Sequence, residues 1–385
     1  MEMSIYLDNA ATTRVCPEAA EAAMEAMTEL YGNPGAIYRP GREAAKRLAS
    51  ARQTVAGALG CAAEELYFTS GGSEGDSWAI LKGAAYAARR SGRAHVISSA
   101  AEHSAVLRSL DELERQSFKV TRLHTGKDGA ITPAAVLDAL REDTCFISLM
   151  LVNNETGAVT DLAEIAKAVK ERCPNVLIHT DAVQAFLKVP FAAGRLGADL
   201  LTVSGHKVHA PKGVGALYIR KGVNLPPLIL GGGQESGRRA GTEATPLIFA
   251  FAAAVNAAMP AEDGERMRSL RDAAAKRLRA ENPGLLILSD LTRGAPHILS
   301  LSLPGWRSET LMNFLEAREI YVSRSSACKK GERSYVLEAM GLAPEVIDGA
   351  LRVSLSRETT AAETGAFCEA LKAAREQLRP TLRRR

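Results

Sequence analysis

The chain has 385 residues and a formal net charge of +4, with 46% hydrophobic and 24% charged residues. Its length favours one large domain plus a second one, and its composition excludes an intrinsically disordered chain, because enough apolar surface is available to offset conformational entropy. The small, dispersed charge gives no indication of a nucleic-acid partner.

Cysteines and apolar runs narrow the class of protein further. The cysteines are Cys16, Cys61, Cys145, Cys173, Cys328 and Cys368. They form no C-x-x-C pair, so the spacing indicates neither a metal site nor a disulfide framework. No apolar run approaches bilayer length and no signal-like segment opens the chain, so we expect a cytoplasmic protein without a membrane partner. The four arginines within 378–385 are interpreted as a solvated terminus.

Hydrophobic periodicity predicts helices first and then an alternation of strands and helices. Helical spacing covers 17–30 and 41–59. Short apolar runs then predict strands at 65–69, 94–98, 145–152, 176–181 and 200–204, separated by helices at 77–90, 105–116 and 162–172. Short, two-sided apolar strands between helices predict an α/β fold with a mostly parallel sheet covered on both faces.

The pattern changes after a glycine run at 231–233. Helices are predicted at 246–258 and 264–282, and strand-like pieces at 298–302 and 349–355. A second, smaller domain that begins near residue 255 fits this change.

Polar groups follow the predicted strands where each strand ends. They lie at 70–74, 102–103, 153–155, 181 with 184, and 204–207. The carboxyl ends of parallel strands are where such sheets place functional groups. Each group suits an aromatic, phosphorylated cofactor that bears an aldehyde, and no comparable assignment suggests itself for a nicotinamide or a nucleotide.

Two of these groups have simpler explanations when each is taken alone. The backbone N–H groups of 69–73 and the Ser73 hydroxyl can converge on a phosphate, although glycines there are more often a tight turn. Asp181 ends an apolar strand, where a protonated pyridine nitrogen would compensate a buried carboxylate. A helix-capping aspartate explains Asp181 equally well.

Lys207 and His103 complete the sequence-based hypothesis. Lys207 follows a strand, where confinement lowers the pKa of an ammonium and a neutral lysine can form a Schiff base. His103 also follows a strand and can stack over a ring and exchange protons. A lone histidine is otherwise more often a structural or surface residue.

Ordered motifs along the chain then identify a family. They are YLDNAATT at 6–13, YGNP at 31–34, TSG at 69–71, NNETG at 153–157, HTDAVQ at 179–184, SGHK at 204–207 and RRAGTE at 238–243. In this order they resemble the cysteine desulfurases, over nearly the whole chain from Tyr6 to about Arg357.

The resemblance implies a fold-type I enzyme dependent on pyridoxal phosphate (PLP), with a seven-stranded sheet in the large domain and a smaller α+β domain. The large domain would be 15–255, and the small one 1–14 with 256–385. The enzyme would be a homodimer with L-cysteine as substrate. A protein would accept the sulfur, such as an iron–sulfur scaffold or a thiolation protein.

The resemblance also implies roles for individual residues. Lys207 would bond to PLP, Asp181 would pair with the pyridinium, and His103 would stack on the ring. The phosphate would be held by Gly72, Ser73, Ser204, His206 and, from the neighbouring subunit, Thr242. Asn154 and Gln184 would bond the ring substituents, and Asn154 and Arg352 would contact the substrate, whose carboxylate suits the guanidinium. Cys328 would be the nucleophile that becomes a persulfide.

The sequence departs from the family pattern at three places. Residues 35–38 read Gly-Ala-Ile-Tyr where serines and a histidine are common, and Ala240 replaces a serine. The segment after Cys328 is about two residues shorter than in housekeeping members and carries charge, which predicts a different sulfur acceptor.

Two alternatives stay open from the sequence. One is another PLP enzyme on the same fold, such as a selenocysteine lyase, an amino-acid lyase or an aminotransferase that does not use Cys328. The other is a non-catalytic scaffold in a sulfur-assembly complex.

Overall fold

The computed structural model describes residues 4–324 and 333–380. In chain order its strands are β1 (Ile5–Tyr6), β2 (Leu66–Thr69), β3 (His95–Ser99), β4 (Lys119–Leu123), β5 (Thr144–Ser148), β6 (Leu177–Asp181), β7 (Leu200–Ser204), β8 (Gly215–Ile219), β9 (Leu286–Ile287), β10 (Ile298–Ser302), β11 (Ile320–Tyr321), β12 (Ser323–Arg324) and β13 (Ala350–Ser354).

Helices occupy much of the remaining described chain. They are α1 (Pro17–Thr28), α2 (Arg39–Leu59), α3 (Gly72–Ser77), α4 (Gly83–Ser91), α5 (Ser104–Arg115), α6 (Pro133–Ala139), α7 (Leu162–Arg172), α8 (Ala193–Leu196), α9 (Thr245–Asn256), α10 (Pro260–Glu281), α11 (Ser308–Glu316), α12 (Tyr335–Ala339), α13 (Pro344–Asp348) and α14 (Ala361–Gln377). A π-helical segment, Trp78–Lys82, joins α3 to α4. The predicted helices are all present, with ends shifted by a few residues.

A seven-stranded sheet is the centre of the described fold, in the order β2-β8-β7-β6-β5-β3-β4. Strand β8 runs antiparallel to β2 and β7, and the other neighbouring pairs are parallel. The mostly parallel, seven-stranded α/β architecture confirms the predicted fold class. Strands β4 and β8 were not predicted. Packing explains why residue 215 in β8 is a glycine, since a Cβ there would lie 2.8 Å from the Cα of Gly71.

The predicted strand at 145–152 is too long. Strand β5 ends at Ser148, although the Leu149 and Leu151 N–H groups still bond to the carbonyls of His179 and Asp181 beside it. The chain then turns at Asn153, whose side-chain oxygen accepts the N–H groups of the next residues. Continuous burial therefore extends beyond the strand itself.

Two hydrophobic clusters contain most of the buried hydrophobic side chains among the described residues. The larger one lies between the sheet and its helices and includes α9, which packs on α1 and α2. The second surrounds the antiparallel sheet β12-β13-β10-β9 and includes Leu7, Leu299 and Phe367. Strand β1 pairs with β11, so the N-terminal segment lies beside C-terminal elements. The exact domain boundaries at 14 and 255 stay a prediction.

No single helix among the described residues has the length and hydropathy of a membrane span. Within those residues only the pair α9 and α10, bent by 72°, reaches both when the two helices are taken together.

Candidate active site

A cavity of about 330 Å³ opens at the carboxyl edge of the central sheet. It is bounded by the ends of β6 and β7, the start of α3, residues 10–11 and β13. Its lining contains these predicted site residues: Gly72, Ser73, His103, Asn154, Asp181, Gln184, Ser204, His206, Lys207 and Arg352. Thr242 is exposed and does not line this cavity, and Cys328 lies outside the described residues.

Lys207 occupies the end of a short 3-10 turn that follows β7. Its Nζ donates to the carbonyls of Ala10 and Ala11, at 2.6 Å each. Burial and then the charge of Arg352 lower the pKa of Lys207 to about 8, although Asp8 and Asp181 oppose the shift. The site thus holds an amine that becomes neutral far closer to pH 7 than an exposed lysine does.

Asp181 is the last residue of β6 and lies deep in the cavity, 6% exposed. One carboxylate oxygen accepts the Val183 N–H at 2.9 Å. Burial raises the pKa of Asp181, although His103, the Val183 N–H and Lys207 oppose the shift. A cation that entered the cavity would stabilise this carboxylate.

The start of α3 and the end of β7 form another side of the cavity. Gly72 and Ser73 open the helix, so their N–H groups lie in its first turn, where an anion is favoured. A Cβ on Gly72 would lie 3.0 Å from Val183. The Ser204 hydroxyl is buried without a partner. Burial and the charge of Lys207 lower the pKa of His206 to about 4, which keeps its ring neutral near pH 7.

His103 caps α5, since its Nδ1 accepts the Ala105 N–H at 3.2 Å. The preceding residue, Glu102, is 1% exposed and accepts from the Ser99 hydroxyl and the Met150 N–H. Burial raises the pKa of Glu102 to about 8. The capping bond and the buried Glu102 hold the His103 backbone at the cavity wall.

Arg352 approaches the cavity from β13 and is 2% exposed. It donates to Asp8 at 2.7 Å and to the Asn154 carbonyl at 2.9 Å, and its Nε is buried without a partner. The side-chain oxygen of Asn154 is also unpartnered. Gln184 donates to the Ala10 carbonyl at 2.9 Å. The site therefore retains unsatisfied donors and acceptors for a polar ligand.

Several residues of the cavity had been given no individual role from the sequence. Asp76, Glu155 and Tyr335 line it, and Asp8 holds Arg352. Glu155 accepts from the Ser334 hydroxyl at 2.5 Å, and burial raises the pKa of Glu155 to about 7. Asp8 and Glu155 stand inside motifs already quoted, so the sequence did contain a signal for them. Asp76 carried none except its position one helical turn after Gly72.

The donor set of the cavity fits PLP. The unpartnered Ser204 hydroxyl lies beside the first turn of α3. A cation would stabilise the buried carboxylate of Asp181, and Lys207 supplies an amine of lowered pKa. Asp76 and Asp181 each place a carboxylate oxygen, and His103 a ring nitrogen, within 4.8 Å of one another, a spacing that could hold a metal ion. A pyridinium nitrogen would also place a positive charge beside these carboxylates. That the site holds no metal stays a prediction.

The chain resembles known proteins over nearly its whole length. The family model described as aminotransferase class-V matches residues 5–367. Cysteine desulfurase IscS of Methanosarcina thermophila is 41% identical over 380 residues, which cover 98% of this chain and 93% of that protein. A cysteine desulfurase of Nostoc sp. strain PCC 7120 is 40% identical over 379 residues, which cover 97% and 94%.

A solved structure agrees with these relatives. A NifS-like protein superposes with a TM-score of 0.92 at 35% identity, and the match covers 98% of this chain and all of that one. The resemblance inferred from the ordered motifs is confirmed. The chain belongs to the class V aminotransferase family and, within it, to the cysteine desulfurases.

Proposed function

We propose that this protein is a PLP-dependent enzyme that removes the sulfur of L-cysteine, leaves L-alanine, and carries the sulfur on Cys328 as a persulfide. The observation that carries the proposal is the joint position of Lys207 and Asp181 in one buried cavity that Arg352 also lines. An amine of lowered pKa, a buried carboxylate and a guanidinium are the three groups that an amino-acid substrate and a pyridine cofactor require.

PLP, when bound, supplies the electron sink that stabilises negative charge on the amino-acid carbon. Asp181 would face the ring nitrogen, and Gly72, Ser73, Ser204 and His206 would hold the phosphate. His103 would stack on the ring, and Asn154 and Gln184 would bond its substituents. Thr242, exposed in the single chain, would reach the phosphate of a neighbouring subunit in a homodimer.

Lys207 and Arg352 handle the substrate. Lys207, neutral in a useful fraction near pH 7, accepts and returns protons at its Nζ. Arg352 binds the substrate carboxylate through its two terminal nitrogens, and Asn154 lies beside it. Asp8 holds the guanidinium until the substrate carboxylate takes its place.

Cys328 performs the transfer of sulfur. Its thiolate attacks the sulfur of the bound cysteine, so an S–S bond forms while the C–S bond of the substrate breaks. The electron pair of the broken bond takes up a proton and becomes a C–H bond of alanine. The persulfide then passes its outer sulfur to the thiol of an acceptor protein. We place this reaction in cytoplasmic sulfur and iron–sulfur metabolism.

The decisive experiment replaces Cys328 with alanine and follows sulfide, alanine and cofactor absorbance after addition of L-cysteine. We expect the absorbance change to persist and sulfide release to fall to background. The control is C61A, which removes a cysteine whose pKa burial raises to about 12, and it should retain the full rate. Sulfide release by C328A at the wild-type rate would favour a lyase, and a protein that binds no PLP would favour a scaffold.

A further inference from the structure

A second carboxyl group, Asp76, lies beside Asp181, and the proposed function gives it no task. Asp76 lines the cavity and is 1% exposed. One of its oxygens, Oδ1, is buried without a hydrogen-bond partner. One of its carboxylate oxygens lies within 4.8 Å of a carboxylate oxygen of Asp181 and of a ring nitrogen of His103.

The fold leaves Asp76 little freedom to move away. It follows Gly75 on α3, where a Cβ would lie 2.6 Å from the Thr202 methyl group, so the helix and β7 are in close contact. Thr202 on β7 is also the register partner of Asp181 on β6. The two carboxyl groups are therefore held together by packed backbone rather than by flexible side chains.

Two buried carboxylates at this separation cannot both be ionised without a cation for each, because the burial cost and the mutual repulsion add. We propose that Asp76 and Asp181 share one proton and one negative charge, with the proton on Asp76. Asp76 is then a positioning residue that limits the charge facing the cofactor nitrogen to the single charge of Asp181. This inference rests on the proposed function only in its reference to the cofactor.

The surroundings explain why the proton resides on Asp76. Asp181 accepts the Val183 N–H, and His103 and Lys207 favour its charge. Asp76 faces Asp181, Thr202, His179 and Glu102 instead. Burial and then the Asp181 charge raise the pKa of Asp76 well above its usual range, with Glu102 adding to the shift and Thr202 opposing it.

His179 offers Asp76 no compensating charge. Its Nε2 lies 3.7 Å from Asp76 Oδ1, but both ring nitrogens already face hydroxyls, Ser148 at 2.9 Å and Thr202 at 3.1 Å. Burial lowers the pKa of His179 to about 3, so its ring is neutral near pH 7. A neutral neighbour cannot stabilise a second carboxylate.

Difference infrared spectroscopy tests the shared proton, because a protonated carboxyl has a C=O band that a carboxylate lacks. The full-length protein is measured with and without PLP at pH 7. We expect D76N to lose one protonated-carboxyl band that D138N, the same substitution on an exposed residue of α6, retains. E102Q assigns the separate band expected of Glu102.

A second measurement leaves Asp76 in place, so it tests the inference even if the D76N variant does not fold. In D181N the repulsion is absent, so the Asp76 band should disappear at a lower pH than in the wild type. An unchanged titration in D181N, or no band lost in D76N, would overturn the inference. Neither readout uses L-cysteine. Failure of the desulfurase proposal would appear as absent PLP binding or absent sulfide release, and it is therefore distinguishable from failure of this inference.

Discussion

The lowered pKa of Lys207 leads to a quantitative prediction about the uptake of PLP. A lysine with the ordinary pKa of 10.5 has about 0.03% neutral amine at pH 7, whereas a pKa of about 8 leaves about 10%. The buried amine is thus about 300-fold more available. Because the neutral form increases with pH, the rate at which apoprotein attaches PLP should rise about tenfold from pH 6 to 7 and level off above 8.

The perturbation that tests the cause is Arg352→Met. The Arg352 charge lowers the pKa of Lys207, so its removal should move the midpoint of the rate profile to higher pH. The control is R122M. Arg122 lies on the edge strand β4 and pairs with Glu114 of α5, so its removal should leave the midpoint unchanged. Stopped-flow absorbance measures the attachment. A wild-type rate that keeps rising to pH 10, or equal midpoints in R352M and wild type, would refute the reasoning.

Three further predictions concern affinity and stability. Asp181→Asn should weaken PLP binding about tenfold to a hundredfold, because a charge-assisted bond is worth about 1.5–3 kcal/mol; equilibrium dialysis measures this, and an unchanged dissociation constant would contradict the pairing. Ser334→Ala should lower the free energy of unfolding by about 1–2 kcal/mol, since Ser334 caps α12 and donates to Glu155. The loss should be larger above pH 7, where Glu155 is ionised and needs the donor, and equal urea midpoints at pH 6 and 8 relative to wild type would argue against it. Arg52→Met should cost about 3 kcal/mol, because Glu235 is 7% exposed and would lose a bidentate partner at 2.6 Å, and a denaturation midpoint equal to that of the wild type would exclude it.

Local sequence predicted the strands that are apolar on both faces and the helices between them. The central strands β5, β6 and β7 are buried along their whole length, so their apolar runs are unambiguous. Strand β4 is partly exposed at the sheet edge, and the sequence did not reveal it. Strand β8 was missed although it is buried, because periodicity alone cannot identify a short apolar run as a strand, and one of its two partners, β2, is far away in the chain.

The candidate site also contains residues that the sequence marks and contacts that it does not. The placement of Lys207 and Asp181 at the cavity could be predicted because strand ends and motifs mark them, and that of Arg352 because the family resemblance implies it. The bond from Arg352 to Asp8 could not, since the two residues are 344 positions apart and only the small sheet and the N-terminal segment bring them together. The role of Cys328 stays a prediction outside the described residues.

What the sequence by itself determined is the family, the layered α/β fold and the types of reactive group, because periodicity and motif order are local properties of the chain. The strand-end position already indicated a lowered pKa for Lys207, but how far the pKa values of these groups shift depends on the tertiary structure. The pKa values of Lys207, Asp181 and Asp76 shift through burial and through charges that distant segments place nearby. Solvent exclusion and the approach of like charges exist only once the sheet, its helices and the N-terminal segment have packed together.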